Sequence, residues 1–529
     1  MVDPNRMREA VALHTAGKLN EAWNHYTRLA ADDPADPDLK HLMGVLAGQV
    51  GNLLESVRLI SEALQARPKA AEYHKNLAVT LQRLERNPQA AAEFLVMADL
   101  LVEEKRFDEA IDAYRLAIQL DPKNLNIVNN LGATLNRLGR HAEAKEWLGR
   151  SLAPDPGMPP ALMHWNGTVG PEGYLRQSTS LHLNYGNALG GLGDHEGAIR
   201  FFNNAVTLKP DSVEAHGNLA LTYLLAGRYE EGWREFEWRW QKEDYKRANF
   251  NGPMWKGESA EELGGKLLVL SEQGYGDTIQ FARFLPILAA RGHDILFEVK
   301  AELMTLFSEG LSHDRIELVP ARAAGPDAYD DLGYAAFTGM ISIPGILGTT
   351  VDTIPTAHYL DVSRKRLDHW KKRIADDKSS LKVGIVWGGN PNHPRNAERS
   401  IPAPLLHPLL EREDVTFYSL QKGPAARWPF PYENVVVLDA ELPDFADTAA
   451  AMKSLDLVIG ADTGATHLAA ALGCPTWVLV TKVPDWRWLL EREDSPWYPS
   501  VRLFRQAEAG NWPEVIGRVG EALDRLAST

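Results

Sequence analysis

The chain has 529 residues and a single cysteine, Cys474, so no disulfide can form within it. A reducing, cytoplasmic compartment is the expectation. Cys474 sits in AALGCPTWVLV, an apolar setting that suits an inert buried thiol. Basic runs are also missing, and the formal net charge is -15. That leaves no stripe of Lys and Arg to follow a phosphate backbone, and no nucleic-acid partner is expected. No apolar run reaches the ~18–20 residues of a membrane span, so none is expected. The opening MVDPNRMREAVALHTAGKLNEA lacks the apolar core of a signal peptide.

Repetition is what the chain has in abundance. Gly17, Ala22, Tyr26 and Pro34 recur as Gly51, Ser56, Ile60 and Pro68, a shift of 34 at each position. The pattern returns as Ala110, Tyr114, Ala117 and Pro122, then as Gly132, Gly139, Ala144 and Pro156. It returns again as Gly186, Gly193, Ala198, Phe202 and Pro210, and ends with Gly227 and Phe236. A 34-residue period with small and aromatic positions is the tetratricopeptide (TPR) signature of paired helices. Residues 1–245 are therefore read as a helical solenoid. Pro68 to Pro122 and Pro156 to Pro210 are each 54 apart, 20 more than the period. The first surplus, LERNPQAAAEFLVMADLLVEE, reads as helix. The second, PGMPPALMHWNGTVGPEGYL, reads as an exposed loop or irregular insert.

Position 6 of helix A falls on Asn76, Asn130, Asn184 and Asn218. In this repeat geometry that position faces the concave groove. A primary amide both donates and accepts, so four of them could hold the backbone of an extended protein acceptor. The competing reading is Asn bonding locally on a helix face.

After a linker at 246–264 the grammar changes. KLLVL, the Gly-rich SEQGYGDT, the amphipathic IQFARFLPILAARG and DILFEV read as strand, tight loop, helix and strand. That places a first α/β lobe at 265–375, closed by the helical KRLDHWKKRIADD. A second lobe at 376–529 starts at LKVGIVWGGN. It continues with strands in VTFYSL, VVVLD, LDLVIGAD and PTWVLV and helices in DFADTAAAMKSL and TGATHLAAALG. The fold class is α plus α/β, a solenoid followed by two Rossmann-like lobes with a ligand cleft at their strand ends.

In DLVIGADTGATHLAAALGCP a buried strand ends at Asp462 and a helix begins at Thr463 and Gly464. Free N–H groups and the positive helix end suit a phosphate, and His467 lies one turn on. The rival reading makes Asp462 or Thr463 a helix cap and His467 a buried, satisfied side chain. Gly388, Gly389 and Asn390 follow the first strand of the second lobe and would wrap a phosphate or form a plain tight turn. Lys422, after VTFYSLQ, is a candidate to neutralise a leaving phosphate, and Arg399 in RSIP is another. Trp486, Trp488, Trp497 and Tyr498 read as packing that anchors the lobe.

DTGATHLAAALG resembles the donor motif of the ADP-heptose transferases of lipopolysaccharide synthesis, and GYGDTIQFARFLP resembles their N-terminal motif. GIVWGGNPNH, RSIP, SLQKGP and PDWRWLLEREDSPWYPSVRLFRQ are similar to segments of bacterial TPR-bearing glycosyltransferases, flagellin-modifying ones above all. The architecture is also similar to TPR-bearing O-GlcNAc transferases, although their His-His-Pro motif is missing. The resemblance covers nearly all of 265–510. It implies a GT-B fold, nucleotide-sugar donors, no cofactor and no metal. The one DxD-like triplet, Asp36-Pro37-Asp38, lies in a repeat turn, which fits. It also implies that Asp277 is the general base. Against this, a helix start stabilises the charged carboxylate, so plain N-capping competes for Asp277. DLGYAAFTGMISIPGILGTT departs from the family pattern on the acceptor side. The expected function is sugar transfer to Ser or Thr of a protein held by the repeats. The alternatives are a lipid-linked or polysaccharide acceptor, and a scaffold with an inactive transferase domain.

Overall fold

A computed structural model describes residues 3–152, 171–242, 250–311, 313–323, 325, 328–393 and 395–527, with 171–175 by backbone alone. Most of the second repeat insert, with Pro156, and the start of the linker lie outside the described residues. The chain forms two compact units, Met1–Ala215 and His216–Thr529.

The first unit is a run of antiparallel helices: α1 (Pro4–Thr15), α2 (Leu19–Asp32), α3 (Pro37–Gln49), α4 (Leu53–Ala66), α5 (Ala71–Arg83) and α6 (Asn87–Glu103). It continues with α7 (Phe107–Leu120), α8 (Leu125–Arg137), α9 (His141–Ser151), α10 (Pro171–Gly191) and α11 (His195–Leu208). Small residues let partners touch. A Cβ on Gly44 would lie 2.6 Å from Ile60, and one on Gly132 2.5 Å from Leu148. Tight turns with a left-handed residue separate the helices, at Gly17, Gly51, Glu85, Lys105, Gly139, Gly193 and Gly227. The spacing is 34 except at two places. Between Glu85 and Lys105 it is 20, and the surplus is one whole helix. α6 packs against α5 on one side and α7 on the other, so one helix serves two pairs. Glu85 and Lys105 take the left-handed turn without being glycine, at roughly 1–2 kcal/mol each.

The second unit begins inside α12 (Val213–Leu225), which pairs with α13 (Tyr229–Phe236). This last pair is built into the lobes. The Trp233 indole donates to Thr349 O at 3.0 Å. Arg239, just past α13, grips Glu272 with two bonds of 2.7 and 3.0 Å. Both partners of that fork are buried. Trp255, from the linker, is buried and donates its N–H to Phe337 O, and Phe337 N donates to Pro253 O, so the linker covers a sheet edge.

The first lobe carries β1 (Lys266–Leu270), β2 (Ile295–Val299), β3 (Ile316–Pro320) and β4 (Tyr334–Gly339), all parallel, in the order β3-β2-β1-β4. The second carries β5 (Leu381–Val386), β6 (Val415–Ser419), β7 (Val435–Val437), β8 (Leu457–Ala461), β9 (Thr476–Val480) and β10 (Val501–Arg505). These too are parallel, in the order β10-β9-β8-β5-β6-β7. The inner strands β1, β5 and β8 are nearly all buried, and such strands read as continuous apolar runs. The order reverses beside β1 in one sheet and between β5 and β8 in the other. Those switch points are where parallel sheets bind ligands, and β1, β5 and β8 are the strands that lead into the three Gly-bearing motifs. IQFARFLPILAARG, expected as one helix, is the end of α14 (Tyr275–Phe281), a 3-10 turn, and α15 (Leu285–Ala290). Pro286 lacks the N–H needed to continue the first helix.

Candidate functional site

The site is built where two helix starts meet. In the first lobe β1 gives way to SEQGYGD, where Gln273 is left-handed, and α14 begins at Tyr275. In the second, β8 ends at Ala461 and α16 (Gly464–Ala471) begins three residues later. The helices touch through glycine. A Cβ on Gly276 would lie 3.0 Å from the His467 ring and 3.3 Å from Gly464 Cα, and one on Gly464 would lie 3.3 Å from Gly276 N. The glycines of GYGD and DTGATH are thus needed by each other, as well as by any ligand.

Asp277 caps its own helix, with Oδ2 accepting from Gly274 N at 2.7 Å. Its other oxygen takes Arg487 Nη2 from the second lobe. Asp277 therefore caps its own helix and meets the second lobe at once. Beneath this loop Glu298, at the end of β2, is pushed up to about 7 by burial, which outweighs its hydrogen bonds with Tyr329 and Ser271 N.

On the donor side, Thr466 Oγ1 caps Thr463 N at 3.0 Å. Thr463 Oγ1 is buried without a hydrogen-bond partner. His467 is buried, with Nδ1 3.0 Å from Tyr498 OH, Nε2 3.5 Å from Asp462 and its ring stacked on Trp488. Burial works to raise the Asp462 pKa. The hydrogen bond and charge of His467 outweigh it and, with help from Arg399, hold that carboxyl below its usual range. His467 is therefore a packed, bonded side chain that orients Asp462.

Gly388 and Gly389 follow β5, beside β8. Gln421 clamps the first: its amide oxygen accepts from Trp387 N at 3.0 Å and Gly388 N at 2.8 Å, and its nitrogen donates to Gly388 O at 3.0 Å. A Cβ on Gly389 would lie 2.8 Å from Arg399 Nη2, so glycine here lets the guanidinium lie over the backbone. Asn390 spends its side-chain oxygen on Asn392 N at 3.0 Å, holding a tight turn. Arg399 Nε is buried without a partner, and among the described residues Arg399 makes no ion pair. Lys422 is committed elsewhere, to Asp439 Oδ1 at 2.9 Å and Leu442 O at 3.0 Å. The four aromatics expected as packing are all buried. Trp497 reaches back to the Tyr229 hydroxyl of α13 at 2.9 Å.

Three of the position-6 amides bond within the repeats. Asn76 Nδ2 lies 2.9 Å from His41 Nε2, Asn130 donates to Asp99 at 2.9 Å and Asn184 to Asn129 O at 3.3 Å. Asn218 falls in the second unit. Residues that sequence reasoning missed are Gln421 and Arg487. The first stands in SLQKGP and the second in PDWRWLL, both singled out only as whole segments. Among the described residues no helix is long and apolar enough to cross a membrane, and no group of His, Cys, Asp and Glu could hold a metal ion.

Comparison with known proteins adds the following. Tetratricopeptide repeat families match residues 41–99, 98–139 and 183–236, and glycosyltransferase family 9 (heptosyltransferase) matches 441–511. The chain is 28% identical to Protein FlbA of Caulobacter vibrioides across 92% of its own length and 84% of that protein. Among solved structures it is similar to the E. coli ADP-heptose lps heptosyltransferase II, with 15% identity, half of this chain, 98% of that one and TM-score 0.37. It is likewise similar to a family 9 glycosyl transferase from Veillonella parvula, with 14% identity, 52% of this chain, 99% of that one and TM-score 0.38. The chain is a glycosyltransferase in which TPR repeats precede a segment, 441–511, that matches family 9.

Proposed function

We propose that this TPR-bearing glycosyltransferase moves a sugar from a nucleotide-sugar to a Ser or Thr hydroxyl of a protein acceptor, flagellin being the class suggested by sequence resemblance. The donor's phosphates lie at the β5–β8 switch point, over the start of α16 and the Gly388–Gly389 turn. Arg399 supplies the cation, and Thr463 Oγ1 gains the partner it lacks. Asp277, on the first lobe, takes the proton from the acceptor hydroxyl as the sugar–phosphate bond breaks. No metal is required in this scheme, because the guanidinium and the α16 N–H groups meet the developing phosphate charge.

The observation that carries this reading is the pair of buried, unpartnered polar groups on the donor side, Thr463 Oγ1 and Arg399 Nε. Buried polar groups in proteins are nearly always bonded, and their exceptions call for a ligand or water. A screen of ADP, UDP, GDP and CMP by thermal shift tests it. One nucleotide should raise the melting temperature, by the equivalent of about 2.7 kcal/mol at a hundredfold excess over Kd. Equal behaviour of all four at millimolar concentration would overturn the donor site.

The repeats hold the acceptor in this reading, through Asn76, Asn130, Asn184 and Asn218. Replacing all four by Ala in the full chain should slow transfer to a folded protein acceptor and spare transfer to a short peptide. One observation favours a second reading. The Asn76, Asn130 and Asn184 amides already have intrachain partners, which suits an array used for assembly while the transferase works on a lipid-linked or polysaccharide acceptor. Equal rates in the fourfold variant would move that reading ahead.

A further inference from the structure

We propose that Arg487 is a positioning residue of the transfer reaction, a cation supplied by the donor lobe that fixes the working orientation of the Asp277 carboxylate. The inference rests on Asp277 being the base, as read above.

All three guanidinium nitrogens of Arg487 are engaged. Nη2 meets Asp277 Oδ1. Nε donates to Gln280 Oε1 at 2.6 Å, and Nη1 to Asp485 Oδ1 at 2.8 Å. Asp277 and Gln280 are three residues apart on α14, so one planar fork grips one face of the helix at two points. Gln280 is fully buried, and its amide keeps the oxygen on Arg487 while its nitrogen goes without a partner. The contact with Arg487 decides which way that amide points. Asp277 is then held from both sides, by Gly274 N–H on Oδ2 and by Arg487 on Oδ1. Each oxygen keeps a lone pair for an incoming hydroxyl.

The support behind the fork is as specific. Arg487 sits in the 3-10 turn Trp486–Trp488, between an indole 4.4 Å below its guanidinium and one stacked on His467. Leu489, directly after the turn, is left-handed at φ 50°. Successive side chains of one short turn thus reach the first-lobe core, Asp277 and the donor-side histidine. Lysine at 487 would keep the charge and lose the fork, which separates geometry from charge.

The experiment compares wild type, Arg487→Lys, Asp277→Asn and the double variant in the full chain. Nucleotide release is measured from whichever of the ADP-, GDP-, UDP- and CMP-linked sugars wild type uses fastest, together with Kd for the matching nucleotide. R487K should lower kcat at least tenfold while Kd stays within twofold, and should have less than a twofold further effect when Asp277 is already Asn. Effects that multiply in the double variant, or a loss of nucleotide affinity equal to the loss of kcat, would overturn the proposal. Full turnover in D277N would overturn the reading of Asp277 itself, a different failure. Amide hydrogen exchange over Gly274–Phe281 gives a readout without substrate. Faster exchange in R487K supports the clamp, and unchanged exchange removes it.

Discussion

The two helix starts that meet between the lobes have the same local grammar and opposite bonding states. In GYGD the carboxylate of Asp277 has both oxygens occupied before any substrate arrives. In DTGATH the hydroxyl of Thr463, and beside it the guanidinium of Arg399, hold buried donors with no acceptor. A carboxylate saturated with anchoring donors, yet with a lone pair left on each oxygen, opposite donors that have no acceptor is the arrangement expected where one partner must be preorganised and the other must bind an anion.

The contrast can be broken most severely at the saturated end. Asp277→Asn should lower kcat by about 10²–10⁴-fold, with nucleotide affinity nearly unchanged in calorimetric titration. Equal loss of both would erase the distinction between the two sides. At the unsaturated end Arg399→Ala should weaken nucleotide binding by roughly tenfold to a hundredfold, the worth of a charged hydrogen bond, and leave the fold intact by circular dichroism. Thr463→Val is a finer probe. It removes an unpaired buried hydroxyl, so the free protein should melt no lower than wild type, while nucleotide affinity falls a fewfold. Glu298→Gln should have the smallest effect. Burial holds the folded Glu298 proton to about pH 7, above the unfolded value. The folded state therefore binds more protons between about pH 4.5 and 7, and stability falls as pH rises through that window. The Gln variant should gain melting temperature over wild type at pH 8 and little at pH 4. A Gly464 replacement is a poor test of the donor site, because any side chain there also pushes on Gly276 N.

The sequence made the periodic elements legible. Seven strands fall on apolar runs, and the GYGD and DTGATH motifs lie where two of those runs, β1 and β8, give way to glycine-bearing loops. β3, β4 and β10 were less visible. β3 is a partly exposed edge strand, β4 opens on the Gly- and Ala-rich YAAFTG, and Arg flanks β10 at both ends. The turns at Glu85 and Lys105 could not be read because neither residue is glycine, so the surplus of 20 was seen as helix without its bounds. Arg487 was illegible for a different reason. Its partner Asp277 is 210 residues away, and nothing local in WRW distinguishes a clamp from an aromatic anchor. Lys422 followed the strand-end rule in sequence yet serves the 439–442 turn. The boundary expected at 245 separates the last helix pair from lobes that it supports through Arg239 and Glu272. Lobes cut free there would keep the buried Glu272 carboxylate without its Arg239 cation.

The shared helix α6 has a consequence for polarity. α3 and α5 run side by side in the same sense: Tyr73 reaches Asp38 and Arg83 reaches Gly48 O, 35 residues apart in each case. α8 and α10 do the same, with Asn129 on Gln177 O and Asn136 on Asn184 O, 48 apart. Three reversing turns, at 84–86, 104–106 and 121–124, separate α5 from α8. A regular array would have two turns between successive A helices, or four between alternate ones, always an even number. The array therefore changes direction at α6, and α5 and α8 point opposite ways. A ligand chain that met Asn76 with its N-to-C direction aligned to α5 would meet Asn130 with that direction reversed relative to α8. If the proposed acceptor lies along the repeats, its path is measured by two short rulers laid end to end with their scales opposed.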